Sequence, residues 1–337
     1  MNIYQENGYI DIRKILALMI SFIFIIGGRG TGKTYNAEDV AIADDIKFIL
    51  MRRTQTIIDM ISMPEFSPFK KLNANNDWDV TIRKITKNHG GIYNNIEEGG
   101  PPIGYLCALS TIKNVRGFDA SDVELLIYDE FIPEAHDRPI KHEATALWNA
   151  YETINRNREL EGEKPLQLLA LANSNDLANP IFMDLGIVRI VQKMQKNGQN
   201  CYINRERNLA IFDLGDSEIS EKKSKTVLYG LKKGSDFNKM SLGNKYTNEI
   251  AGKIKSRSLK EFRPIVMVGE LCIYEHKYDG TTYASTHKFG NPPTFGLGDV
   301  DKARFRREYM WIWDDYIRNE MEFEEYLCEI LLKKVFM

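Results

Sequence analysis

Most of the signals that sort a protein quickly are absent from this sequence. The four cysteines (Cys107, Cys201, Cys272, Cys328) are scattered without a CxxC pair, and the five histidines show no metal-ligand spacing. That excludes a disulfide framework and a zinc module, and the thiols are expected to be free in a reducing cytoplasm. Charge is nearly balanced, with 45 Lys+Arg against 47 Asp+Glu and a formal net of −2. Bulk positive charge therefore cannot carry nucleic-acid binding, although a local basic groove or a ring pore stays open. The longest apolar run, Ile15 to Ile26, is about 12 residues, short of the roughly 18 to 20 needed to cross a bilayer. Met1 to Ile10 lacks the basic n-region of a signal peptide, so no membrane partner is expected. No internal repeat and no Ser/His/Asp arrangement is legible. What remains is a 337-residue chain, 43% hydrophobic and 27% charged, with the composition of a soluble globular protein and room for two domains.

Against this plain background one segment stands out. Gly27-Gly28-Arg29-Gly30-Thr31-Gly32-Lys33-Thr34 follows the apolar run Ser21 to Ile26 and precedes a helical stretch, Tyr35 to Asp45. This is GxxxxGK[ST] at the end of a buried strand, the context in which the pattern denotes a phosphate-binding loop. Its glycines let the backbone curl until successive N–H groups face phosphate oxygens. Lys33 is expected to span the β- and γ-phosphates of ATP, and the Thr34 hydroxyl to hold Mg2+. About a hundred residues on, Val123-Glu-Leu-Leu-Ile-Tyr-Asp129-Glu130 reads as a strand ending in adjacent carboxylates. Asp129 is expected on the metal side and Glu130 on the attacking water, pointing in different directions because a strand alternates its side chains. A glutamate beside the aspartate suits a hydrolase that couples turnover to motion.

Other residues are open to more than one reading. Asn173, at the tip of the next strand, is either a γ-phosphate sensor or a turn and helix cap. Arg29 within the loop is within reach of phosphates or of a neighbouring subunit, or is simply solvated. Arg156 and Arg158 close a helix expected over Glu143 to Glu159, and either could act as an arginine finger if copies form a ring; a solvated charge run is the competing reading. Arg52-Arg53 and the basic stretch Lys222 to Arg263 could grip polynucleotide phosphates or a partner, the stretch being more often a soluble linker.

Strands alternate with helices and are nearly continuously apolar (Ile46 to Met51, Leu125 to Asp129, Pro165 to Ala172). That predicts an α/β fold with a mainly parallel sheet covered by helices. Hairpin signals lie between Asp77 and Ser110. Cys201 to Leu214 reads as a strand or hairpin, Gly215 to Arg263 is polar, and a compact last unit ends in an amphipathic segment from Asp301 to Phe336. The domains predicted are residues 1–197, a P-loop ATPase; 198–240, a linker or lid; and 241–337, a small α+β domain.

Together the loop with its internal arginine, Met51-Arg-Arg-Thr54, Val115-Arg-Gly-Phe118 before Leu125 to Glu130, and the continuation Asp129-Glu-Phe-Ile-Pro-Glu134 resemble the viral DNA-packaging ATPases of the large-terminase lineage, most of all the encapsidation ATPases of phi-29-like podoviruses. The motifs span Phe22 to Asn179, and the C-terminal third is similar only in size and texture. The resemblance implies an ASCE-type P-loop NTPase, and a ring of identical subunits, pentameric in that family, at the portal (connector) of an empty capsid in the host cytoplasm, driving double-stranded DNA inward. A packaging RNA or a protein adaptor is a further partner in such systems. It also implies that Lys33 and Thr34 bind phosphates and Mg2+, Asp129 the metal and Glu130 the water, with Arg29 and Arg156 or Arg158 sensing or acting in trans. The C-terminal domain is expected to resemble an RNase H nuclease fold without its chemistry, since Ile265 to Tyr274 offers Glu270 alone; Asp314, Asp315 and Glu325 are the other acids at hand.

A helicase or a phage morphogenesis or secretion ATPase is the alternative motor, and a nucleotide-gated binding module is the alternative outside enzymes. Glu130→Gln is expected to bind ATP and hardly turn it over, whereas Lys33→Ala should weaken binding itself. Equal ATP affinity of Lys33→Ala and wild type in a titration would remove the phosphate-loop assignment.

Overall fold

The computed structural model describes residues 2–95, 99–115, 120–133, 137, 140–173, 177, 179–214, 218–231 and 253–336. The chain divides into two compact units, residues 1–246 and 247–337.

The first unit opens with helix α1 (Ile12–Leu16), capped by the Asp11 carboxylate accepting from the Lys14 N–H. Strand β1 (Phe22–Gly27), helix α2 (Lys33–Ala43) and strand β2 (Phe48–Arg52) follow. Then come helices α3 (Gln55–Ile61) and α4 (Lys70–Asn76), and strands β3 (Val80–Lys84), β4 (His89–Asn94), β5 (Gly104–Ala108) and β6 (Leu125–Asp129). Helix α5 (Glu143–Asn155), β7 (Gln167–Ala172), α6 (Pro180–Asp184), α7 (Val188–Lys196), β8 (Cys201–Asn204), β9 (Leu209–Leu214), α8 (Glu218–Ser224) and α9 (Val227–Leu231) complete it.

The strands form one sheet in the order β3-β4-β5-β2-β6-β7-β1-β9-β8. From β5 to β9 every pairing is parallel; the antiparallel pairs β3/β4, β4/β5 and β8/β9 lie at the two edges. The near-continuous apolar runs are explained by this arrangement, because a parallel strand is covered on both faces and has no polar side. Phe24, Phe131 and Phe182 meet with ring centroids 5.5 to 5.6 Å apart. β7 lies between β1 and β6, so the carboxyl ends of the loop strand and the acidic strand flank the end of β7. Ligands of such sheets bind outside the strands' carboxyl ends.

Three expectations change. β9 pairs along its whole length with β1 and β8 with β9, so residues 201–204 and 209–214 belong to the nine-stranded sheet and the boundary expected at 197 falls inside the first unit. The apolar face of β9 cannot be told from a hairpin's by local pattern alone, because its partner is almost 190 residues away in sequence. The boundary expected at 240 lies outside the described residues. The terminal segment from Asp301 is broken: helices Asp299–Glu308 and Met310–Ile317, a strand β14 (Met321–Phe323) and helix Tyr326–Phe336 replace one amphipathic run.

The second unit is the small α+β domain. β10 (Phe262–Val268), β11 (Leu271–His276) and β12 (Thr282–Ser285) form an antiparallel meander. β13 (Thr294–Phe295) adds in parallel beside β10, and β14 in parallel beside β12. Its own core includes Val266, Ile273, Phe305, Ile312, Phe323 and Leu332. Among the described residues no helix is long and apolar enough to cross a membrane.

The Arg52-Arg53 pair does not form a surface grip. Arg53 is buried and donates from Nε and Nη2 to the two Glu143 oxygens at 2.8 and 3.0 Å, and the Tyr128 hydroxyl donates to the same carboxylate at 3.1 Å. This knot ties β2 and β6 to α5. Removing one partner leaves a buried charge uncompensated, which costs about 3–5 kcal/mol. Arg53→Met and Glu143→Leu alone are each expected to lower stability by about that amount, and the double substitution by less than either sum. Urea unfolding of the three variants checks this; strictly additive losses would mean that the two side chains act independently.

Candidate functional site

The loop between β1 and α2 is shaped by its glycines. Gly30 and Gly32 have φ of +77° and +87°, values that a side chain resists. A Cβ on Gly32 would also lie 2.8 Å from Asn36 Nδ2 and 2.9 Å from Tyr9 Cδ1. Those neighbours belong to a brace: Asn36 donates to the Ile10 carbonyl at 2.8 Å, and the Ile10 N–H donates to the Thr31 carbonyl at 3.2 Å. Gly27 faces Leu214 of β9 so closely that a Cβ there would sit 2.5 Å from the leucine's own.

Lys33 is buried and uses all three of its donors locally, on the Gly27 and Gly28 carbonyls at 2.9 Å each and on Thr31 Oγ1 at 3.2 Å. Burial pulls its pKa down to about 7, opposed by Asp129 and Asp213 and reinforced by Lys223. The Thr34 hydroxyl donates to Asp129 Oδ2 at 2.9 Å across the end of β7. A hydroxyl and a carboxylate at that separation are the hard oxygen donors that Mg2+ takes, and the residues fit such an ion.

Asp129 and Glu130 do not diverge as strand alternation predicts. Glu130 leaves the extended conformation, with φ at +57°. Its N–H donates to the Asp129 side chain at 3.0 Å; the next N–H, of Phe131, returns to the Leu171 carbonyl of β7 at 3.1 Å while the Phe131 ring enters the core. A left-handed non-glycine residue is strained, and such strain persists where the surroundings over-determine it. The kink turns both carboxylates onto one guanidinium: Arg52, at the end of β2, pairs with Asp129 at 2.7 Å and with Glu130 at 2.8 Å. Burial opposes the charge of Arg52, but Asp129, Glu130 and Glu38 outweigh it and raise its pKa.

Glu38, on α2 behind this cluster, is a site residue that sequence reasoning missed. It is fully buried, its Oε1 has no hydrogen-bond partner, and burial, helped by Asp129, pushes its pKa up to about 8 against the pull of Arg52. An acid within an amphipathic-looking helix carries no signal of its burial. Arg52 was visible, as half of a basic pair, but not as an internal counter-ion.

The two finger candidates separate. Helix α5 ends at Asn155, and Arg156 has φ +49°, so neither arginine lies on the helix expected to run to Glu159. Arg158 is buried and donates from Nη2 to the carbonyls of Ala120 and Ser121 at 3.2 and 2.7 Å; Arg156 is exposed. Arg29 is exposed on the loop, and Asn173 is half-buried at the end of β7, the strand between the loop and the acids. Residues 116–118 of the Val115–Phe118 motif, Glu134, and 232–252 of the basic stretch lie outside the described residues.

In comparisons with known proteins, a family model described as podovirus DNA encapsidation protein (Gp16) matches residues 5–294, well past the Asn179 limit expected from motifs. The DNA packaging protein of Bacillus phage phi29 is 27% identical over 260 residues, covering 75% of this chain and 70% of that protein. That of Bacillus phage B103 is 27% identical over 240 residues, covering 70% and 67%. Among solved structures, the chain superposes on one from the bacteriophage Phi-29 viral genome packaging motor assembly with a TM-score of 0.67 at 18% identity, covering 97% of this chain and 99% of that one. The Phi-28 gp11 DNA packaging motor gives 0.63 at 20% identity, covering 96% of each chain. These two establish the fold.

Because Glu38 holds a proton in the folded protein to about pH 8 that the unfolded chain releases near pH 4.5, stability should fall as pH rises between those values. Lys33, with its pKa lowered to about 7, acts in the opposite sense only above pH 7. Glu38→Gln is expected to gain on wild type as pH rises from 5 to 7, by at most about 1.4 kcal/mol per unit. Denaturant unfolding in metal-free buffer at several pH values measures it; parallel curves would mean that Glu38 titrates normally.

Proposed function

The chain belongs to the podovirus DNA encapsidation protein family, and on that premise we propose that it is the ATP-hydrolysing motor that drives double-stranded viral DNA into an empty capsid. The observation that carries this reading is the meeting of Lys33, Thr34, Asp129 and Glu130 around the end of β7, a constellation suited to hydrolysis as well as to binding.

In the proposed reaction Lys33 exchanges its bonds to the Gly27 and Gly28 carbonyls for the β- and γ-phosphates of ATP, which also favour its charged form. The N–H groups from Gly28 to Thr34 and the start of α2 add fixed positive dipoles. Thr34 and Asp129 hold Mg2+, which when bound neutralises phosphate charge. Glu130 orients and polarises the attacking water, and it can do so only after giving up its ion pair with Arg52. Removing a charge-assisted contact from the carboxylate frees it as an acceptor for the water proton. Arg52 thereby sets when the base is available.

Exposed Arg156 suits a finger supplied to the neighbouring subunit in a ring of copies, and Arg158, committed to the Ala120 and Ser121 carbonyls, suits a structural role. Arg29 and Asn173 border the γ-phosphate position as sensors. The ring is read as a pentamer at the portal of the capsid in the host cytoplasm, with a packaging RNA or protein adaptor between them. DNA is gripped through phosphates without sequence reading. The second unit is read as an RNase H-like domain that does not cut. In support, Asp315 accepts from Thr282 Oγ1 at 2.6 Å and pairs with Arg318, and Glu325 accepts from Thr286 Oγ1 at 3.2 Å, so these two serve separate local contacts, while Asp314 and Glu270 are exposed.

Steady-state ATP hydrolysis with and without duplex DNA across a salt series tests the reading. Duplex DNA is expected to stimulate turnover, the stimulation to fade with salt, and Glu130→Gln to abolish it. Arg156→Ala should keep ATP binding and lose turnover in the assembled ring, by roughly 10³-fold or more. Turnover indifferent to DNA at every salt concentration would overturn the DNA motor. Negligible turnover with every polymer would leave a nucleotide-gated binding module.

A further inference from the structure

We propose that Lys223, on helix α8 beyond the last parallel strand, is a second phosphate-binding lysine of the nucleotide site and contacts the terminal phosphate of ATP. The inference rests on the ATPase reading above and extends it to a residue outside the loop and strand motifs.

Helix α8 follows β9, the strand paired with β1, so the chain leaves the sheet beside the phosphate loop. Of the lysines on and just after this helix, Lys222 and Lys225 are exposed, whereas Lys223 is turned inward. Its ammonium donates to the Arg29 carbonyl at 2.5 Å. A Cβ on Gly30 would collide with Nζ and Cε of Lys223, so the glycine that shapes the loop also leaves the seat for this side chain. Tyr229, buried on the next helix α9, places its ring 5.9 Å from the ammonium, a cation–π contact that holds the lysine in this direction.

The position is electrostatically costly. Burial lowers the pKa of Lys223, Arg29 lowers it further, and Lys223 in turn lowers that of Lys33. Three cations thus converge on the stretch Gly28 to Gly32, beside the positive end of α2. The Arg29 carbonyl and the Tyr229 ring are what a lysine meets in such a corner, set against the repulsion of two other cations. A polyanion seated on the loop would attract all three cations and offset their mutual repulsion, and the carbonyl of Arg29 holds the ammonium at the loop's rim in the meantime. Lys33 reaches the site from within, Lys223 from outside, which suits the outermost phosphate and hence a distinction between ATP and ADP.

The test uses the full chain with Lys223→Met, which keeps the apolar stem, and Lys223→Arg, which keeps the charge, with Lys225→Met as the control. Titration with a non-hydrolysable ATP analogue and with ADP is expected to show affinity for the analogue falling roughly tenfold or more in Lys223→Met, affinity for ADP falling much less, and Lys223→Arg recovering most of the loss. The unfolding midpoint without nucleotide should not fall below the wild-type value, which separates a ligand contact from a structural one. Unchanged affinities in Lys223→Met, or equal losses for both nucleotides, would overturn the inference alone. A wild-type chain that binds neither nucleotide would overturn it together with the ATPase reading.

Discussion

The carboxyl end of the central sheet is organised by one guanidinium. Arg52 meets Asp129 and Glu130 at 2.7 and 2.8 Å and lies close enough to buried Glu38 to oppose the rise that burial imposes on its pKa. Three acids crowd the end of β6 and the middle of α2, and like charges in a desolvated corner repel strongly. Arg52 balances the outer two, and a proton on Glu38 removes the third charge. Lysine would not substitute well, because two carboxylates on different residues need the separated donors of a planar fork.

Everything around this contact fixes where those groups can be. β7 holds β1 and β6 two strand positions apart, so that the Thr34 hydroxyl spans to Asp129. The Phe131 ring, locked against Phe24 and Phe182, pins the residue after Glu130 and so maintains the left-handed kink that turns the glutamate toward Arg52. One residue along from Arg52, the Arg53, Glu143 and Tyr128 knot holds the end of β2 against α5. The core therefore acts on the site through backbone position, and the charged groups report that position with short contacts.

How much of this was legible in the sequence follows from the range of the interactions. The phosphate loop and the acidic strand are local: glycine spacing, an apolar run before, a helix after. They are found where expected, as is the parallel sheet, whose buried strands carry their own apolar signature. What the sequence hid is set by partners far along the chain. Arg53 and Glu143 are 90 residues apart, and Arg158 meets Ser121 across 37; each arginine alone looks like surface charge. Strand β9 looked like part of a linker because nothing in Leu209 to Leu214 names β1 as its neighbour. The direction of Glu130 was misjudged for a different reason. Period-two alternation holds only while the strand stays extended, and a single left-handed residue cancels it.

The layout of charge also explains why substrate binding and base release should be linked. Cations from Lys33, Lys223 and Arg29 face the loop, while Asp129 and Glu130 face Arg52 across Thr34. The Asp129 oxygen that Thr34 and Arg52 now share is one that, on the proposed function, a divalent cation would also take, and a weaker Arg52 pair there would loosen the hold on Glu130. Coupling of this kind would be reciprocal: binding that releases Arg52 from Asp129, and a displacement of Arg52 that frees Asp129 for binding, would favour one another by the same factor.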